Sequence, residues 1–186
     1  MLHIAILSSS IRTGRHSHRV ALYFNEFISS NKLATVEILD LYKYRFPLFE
    51  ERLRFQASPT DAALEFARKF RAANGIIIVT PEYNGGYPAS LKNAVDLLTD
   101  DWHRKPVAIA TVSDGDFGGN QVITSLLFTL WKMKAWVIPA MFPVPRVQET
   151  FDANGIPLDR HSTGKRANTF VQELLWCMEA KQRMAD

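Results

Sequence analysis

The chain has 186 residues, 47% of them apolar and 22% charged, with a net charge of +3. That is the balance of an ordinary globular protein with room for one sizeable core, and its single cysteine, Cys177, excludes an internal disulfide. It also lacks the run of about eighteen apolar residues that spans a membrane, and any Lys/Arg-rich run with interleaved aromatics that marks a nucleic-acid surface.

Met1 to Leu7 reads as a buried first strand, without the basic start and small-residue cleavage site of a secretory leader, so a cytoplasmic protein is expected. Val20, Ala21, Phe24, Phe27 and Ile28 then recur at helical spacing. Thr35 to Leu41 alternates polar and apolar, as a strand near a sheet edge does. A loop follows through Tyr44–Phe49. A helix carrying Leu64, Ala67 and Phe70 comes next, capped by Thr60 or Asp61. Gly75–Val79 is a strand, and a helix runs to about Leu98. Pro106–Val112 is another buried strand, followed by a helix with Val122, Leu126, Leu127, Leu130 and Met133. Ala135–Ile138 predicts a short last strand. Pro139 to Arg160, with Pro143, Pro145, Gly155 and Pro157, reads as mostly irregular. A final helix is expected over about Thr163–Lys181.

Five strand-helix units in succession predict a doubly wound α/β domain over residues 1–186, with a parallel sheet and helices on both faces. Right-handed crossovers place the loops Ser8–His16, Tyr42–Phe49, Thr80–Tyr87 and Ser113–Gly119 on one edge, where open α/β sheets hold ligands.

The first of these loops, Ser8-Ser9-Ser10-Ile11-Arg12-Thr13-Gly14-Arg15-His16-Ser17, opens a helix. A helix N-terminus offers unpaired amides and a partial positive charge, which suits a phosphate. Ser10 and Ser17 can add hydroxyl donors, and Arg12 or Arg15 a charge-assisted bond. Neither the triphosphate glycine-lysine pattern nor the three-glycine dinucleotide fingerprint is present, so a monophosphate fits best. His16 and His18 lack a third ligand at suitable spacing, and no metal site is expected.

The run Thr80-Pro81-Glu82-Tyr83-Asn84-Gly85-Gly86-Tyr87-Pro88-Ala89-Ser90-Leu91-Lys92-Asn93 carries the most information. Two prolines and paired glycines make a rigid, tight turn that brings backbone close to a flat ligand. Tyr83 at its tip suits contact with an aromatic ring, whereas Glu82 has no partner from which to build an acid-base pair. Gly115, Gly118 and Gly119 in the last loop supply either a flexible turn or a close approach to the same ligand. Trp102, Trp131, Trp136 and Trp176 belong in the core or at a subunit interface.

These two loops resemble those of the NADPH-dependent FMN reductases of flavodoxin-like fold, a family that includes quinone, azo-dye and chromate reductases. Ser10-Ile11-Arg12 with Gly14-Arg15 and Ser17 is similar to the family's phosphate loop, and Pro81 to Asp96 to its most diagnostic segment. The resemblance implies a five-stranded sheet of order 2-1-3-4-5. It implies that Ser10, Arg12, Ser17 and, more weakly, Arg15 hold the FMN phosphate. Pro81, Glu82, Tyr83, Asn84 and Gly85 are then expected along the ring, with Ser113 and Gly115 in the loop on its far side. Asp114, Asp116 and Phe117 depart from the small residues usual there. The implied activity is ping-pong hydride transfer from NADPH or NADH to bound FMN. From there the electrons pass to a quinone, azo compound, metal oxyanion or free flavin, with no protein residue required as acid or base. The alternative is a flavodoxin-like electron carrier. A homodimer or homotetramer, built through the helices after the second and third ligand loops, is also implied.

Overall fold

Short β-branched runs bounded by turn residues form strands, and the longer amphipathic segments between them form helices. The computed structural model describes residues 1–185. Strands β1 (His3–Ser8), β2 (Thr35–Asp40), β3 (Gly75–Pro81), β4 (Pro106–Val112) and β5 (Trp136–Val144) make one parallel sheet of order β2-β1-β3-β4-β5. The connections contain α1 (Ser17–Ser30), α2 (Leu41–Tyr44), α3 (Asp61–Ala72), α4 (Ala89–Leu97) and α5 (Gln121–Lys132), and α6 (Val147–Thr150) and α7 (Arg160–Ala185) follow β5.

Successive strand residues point to opposite faces, so each strand feeds two cores. Ile4, Ile6, Ile77 and Val79 pack with Val20 and Phe24 of α1 and with Phe170 and Leu174 of α7. Ala5, Leu7, Ile76 and Ile78 pack with Phe66 and Phe70 of α3, Leu91 and Val95 of α4, and Leu126 of α5. Trp102 is fully buried on this second side. By contrast, Trp131 and Trp176 are 66% and 62% exposed, which places neither in the core.

The register brings the strand ends together. Ser8 lies opposite both Asp40 and Val79, and Pro81 lies opposite Val112. The loops after β1, β2, β3 and β4 therefore leave the sheet side by side.

Two expectations need correction. The segment after Ile138 is not irregular, because β5 continues through Pro139 and Pro143 to Val144. An edge strand has an unpaired side on which proline forfeits no ladder bond, and a register shift opposite Val107 and Ile109 absorbs the irregularity. The lengthened β5 then supports the last ligand loop through the Ser113 amide, which donates to the Val144 carbonyl at 3.0 Å. The final helix begins three residues before Thr163, where the Asp159 carboxylate accepts the Ser162 amide at 2.9 Å as a helix cap.

Candidate functional site

The loop from Ser9 to His16 turns from β1 into α1. Helix α1 has no side-chain cap and no acidic residue in its first turn. Its first amides have no intrahelical acceptor, and its positive end is uncompensated. The Ser17 hydroxyl at this end is buried and has no hydrogen-bond partner. It lines a pocket of about 140 Å³ that also gathers Ser10, Arg12, Arg15, Pro81, Glu82, Tyr83 and Ser113. Asn84, Gly85 and Gly115 stand outside that lining. A buried hydroxyl without a partner beside free amides is the chemistry that a multi-oxygen anion satisfies. The exposed Arg12 makes no ion pair among the described residues, so its charge is available.

Arg15 is differently placed. Its guanidinium forms a bidentate pair with Asp40, Nη2 donating to Oδ2 at 2.6 Å, and Nη1 also donates to the Ser10 carbonyl at 2.7 Å. Asp40 is 3% exposed and accepts the Tyr42 amide as the cap of α2. Burial alone would raise the Asp40 carboxyl, but the hydrogen bonds and charge of Arg15 hold it below its ordinary value. His18, the second residue of α1, shares a 3.0 Å hydrogen bond with the Ser8 hydroxyl. Burial and then the Arg15 charge depress its pKa, which favours the neutral ring. Sequence reasoning missed Asp40. Its signal was an acidic residue at the C-terminal end of a strand on the ligand edge.

The second loop meets the first directly: the Tyr83 and Ser10 hydroxyls are 2.7 Å apart and hydrogen-bonded. Tyr83 and Gly86 pair across a two-residue turn in which Asn84 and Gly85 both have positive φ, +52° and +78°. Asn-Gly is the pair that tolerates this turn, and neither of its central amides donates a hydrogen bond to the backbone. Glu82 is occupied, since its amide donates to Val112 at 3.2 Å and its carboxylate accepts the Gln121 amide at the start of α5 at 3.1 Å. It braces the loop against α5.

Two further residues of the motif act as ties. The Ser90 hydroxyl donates to the Ser9 carbonyl at 2.6 Å. The Asn93 side chain accepts the Phe49 amide at 2.8 Å and donates to the Pro47 carbonyl.

In the last loop the Ser113 hydroxyl donates to the Gly115 carbonyl at 2.8 Å, and the Arg146 amide donates to that same carbonyl at 3.1 Å. An added Cβ at Gly115 meets open space, whereas at Gly118 and Gly119 it meets Pro143 at 3.0 Å and the Val112 amide at 3.1 Å. The demand for glycine thus falls on 118 and 119. Asp114 also lines the pocket, but it faces His16, whose Nδ1 is 3.4 Å away.

A larger cavity of about 420 Å³ lies between residues 46–60 and helices α3 and α4, with a chiefly apolar lining that includes Phe46, Leu48, Phe49 and Phe55. Its polar lining residues, Glu50, Glu51, Gln56, Ser58, Thr60 and Asn93, include no arginine or lysine, whereas Arg12 and Arg15 both line the smaller pocket. Among the described residues no group of His, Cys, Asp or Glu is placed to hold a metal ion, and no helix is long and apolar enough to cross a membrane.

A flavodoxin-like sheet with an anion-ready first loop and a rigid aromatic-tipped second loop defines the class of flavin-binding doubly wound proteins. The family model for NADPH-dependent FMN reductase matches residues 2–149, and the chain belongs to that family. It is 31% identical over 150 residues to the NAD(P)H-dependent FMN reductase LOT6 of Saccharomyces cerevisiae, covering 74% of this chain and 78% of that one. It is 34% identical over 122 residues to a quinone reductase of Pseudomonas putida, covering 62% of each. The structure is similar to that of the flavoenzyme NAD(P)H:(acceptor) oxidoreductase FerB of Paracoccus denitrificans. The TM-score is 0.77 at 20% identity, with 96% of this chain and 98% of that chain covered.

Proposed function

We propose that Ser10, Arg12, Ser17 and the first amides of α1 hold the phosphate of FMN in this NAD(P)H-dependent oxidoreductase. In the same reading, Pro81, Tyr83 and the backbone amides of Asn84 and Gly85 border its ring. The observation that carries this reading is the partnerless buried hydroxyl of Ser17 at an uncapped helix N-terminus, inside the pocket shared with Tyr83. When bound, FMN supplies the capacity to accept a hydride from NADPH or NADH and release the electrons to an acceptor.

The chain's own residues bind and orient. Arg12 and Ser17 donate to phosphate oxygens, and the Ser10–Tyr83 hydrogen bond fixes the distance between the two loops. Glu82 takes no proton in this scheme, because its carboxylate is engaged at α5. Ser113 closes the far side, held to β5 and to the turn at Arg146. The whole chain acts as one cytoplasmic domain in this reading. It forms a homo-oligomer through α4 and α5, where Leu127, Phe128 and Trp131 are exposed together; sedimentation velocity measures its order.

Under anaerobic conditions NADPH is expected to bleach the visible flavin band of the FMN-loaded protein, and a quinone to restore it. FMN that is bound but never reduced by NADPH or NADH makes the protein an electron carrier instead.

A further inference from the structure

The pocket contains two arginines of unlike circumstance. Arg12 is exposed and unpaired among the described residues, whereas the Arg15 side chain is 13% exposed and spent on the Asp40 carboxylate and the Ser10 carbonyl. Asp40 belongs to another strand, and the parallel register sets it beside Ser8 at the end of β1. The pair therefore ties the first loop to the end of β2 at the residue, Ser10, whose hydroxyl meets Tyr83.

We propose that Asp40 and Arg15 are positioning residues for the phosphate end of the site. Asp40 holds Arg15 away from the anion, and Arg15 fixes the Ser10 carbonyl so that the Ser10 and Ser17 hydroxyls and the α1 amides converge. This inference rests on the assignment of the phosphate to that loop. It gives Arg15 a role other than direct ligation and brings in a carboxylate that touches neither cofactor nor substrate.

Three features support it. The pair is bidentate, a geometry that fixes orientation as well as distance. The carboxylate's remaining capacity goes to the Tyr42 amide, so Asp40 is itself held by the α2 cap. The guanidinium also lies over the Tyr42 ring, its Cζ 4.8 Å from the ring centroid, a further contact that restrains it from swinging towards an anion.

The two roles predict opposite signs for Asp40→Asn. A direct ligand freed from its counter-ion binds phosphate more tightly, whereas a lost positioner weakens binding. The measurement is equilibrium binding of FMN and of riboflavin to apo-protein, read by quenching of flavin fluorescence. The expected result is a loss of roughly tenfold in FMN affinity with riboflavin affinity unchanged, the size of one misplaced charge-assisted bond. Unchanged or tighter FMN binding overturns the proposal, as does a parallel loss for both flavins, which marks a merely structural pair. Asp40→Asn leaves a buried guanidinium without its counter-ion, and this variant can fail to fold. The variant Asp40→Glu keeps both charges and displaces the carboxylate by one methylene, and the same selective loss of FMN is expected of it, whereas unchanged FMN affinity overturns the proposal. If the unaltered protein binds FMN no better than riboflavin, the phosphate assignment itself is wrong.

Discussion

Ser17 and Arg12 separate two ways in which a residue contributes to binding. The Ser17 hydroxyl is buried without a partner, so it costs stability in the free protein and regains it only when an acceptor arrives. Ser17→Ala is therefore expected to leave the melting temperature of the apo-protein unchanged or raised, while the stabilisation added by saturating FMN shrinks. Differential scanning fluorimetry with and without FMN reads both quantities. A variant destabilised equally in the two conditions shows that Ser17 is only a packing residue. Arg12→Ala, an exposed change, should leave the apo-protein untouched and weaken FMN by about 1.5–3 kcal/mol, the range for hydrogen bonds to charged groups. The pocket was legible at this scale wherever local chemistry named its lining, as at Ser10, Arg12, Ser17 and Tyr83. It was not legible where a residue acts across the sheet. Asp40 is 25 positions from Arg15, and only the strand register makes them neighbours. Glu82 likewise gave no sign that its partner would be an amide of α5.

At the scale of elements, the strands and long helices followed from periodicity, and the differences arose where a tertiary context overrode a local breaker. Pro139 and Pro143 read as the end of regular structure, yet an edge position accommodates both. Tertiary context also acts on the charge of Lys105. That residue precedes β4 and is 7% exposed, with its ammonium donating to the carbonyls of Phe70 and Ala73 at 3.2 and 2.7 Å at the end of α3. Burial, reinforced by the charge of nearby Lys181 and opposed by Asp101, lowers its pKa to about 8. Because the folded chain releases this proton near pH 8 and the unfolded chain near 10.5, the unfolded state binds more protons between those values. The Lys105 contribution therefore makes stability rise with pH across that window and stay level below it. Lys105→Met is expected to flatten that rise in urea unfolding between pH 8 and 10. It should also cost about 1–3 kcal/mol at neutral pH from the carbonyls left unpartnered. An unchanged pH slope contradicts the assignment.

On the scale of the whole molecule, the strand order sets what each loop can do. With β1 and β3 adjacent at the centre of the sheet, the loop proposed to take the anion and the loop that carries Tyr83 emerge as neighbours. With β4 next to β3, the Ser113 loop closes the opposite side. Ser90 and Asn93 of α4 then tie the first loop and the Pro47–Phe49 segment to the helix that follows the aromatic turn. The Pro81–Asn93 run thus serves both the ligand and the frame, and its length in the sequence reflects that double duty. The exposed α5 ridge of Phe128 and Trp131 lies on the same side of the sheet as α4.

The central claim is that the loops after β1 and β3 form one site anchored by a phosphate, and the preference of the unaltered apo-protein for FMN over riboflavin tests it most directly. In the proposed site the phosphate meets Arg12, Ser17 and the uncapped end of α1, so FMN is expected to bind at least about a hundredfold more tightly in low salt, from two or more charge-assisted bonds. That margin should narrow as ionic strength rises. Equal affinity for the two flavins, or a margin indifferent to salt and to Arg12→Ala, contradicts the account.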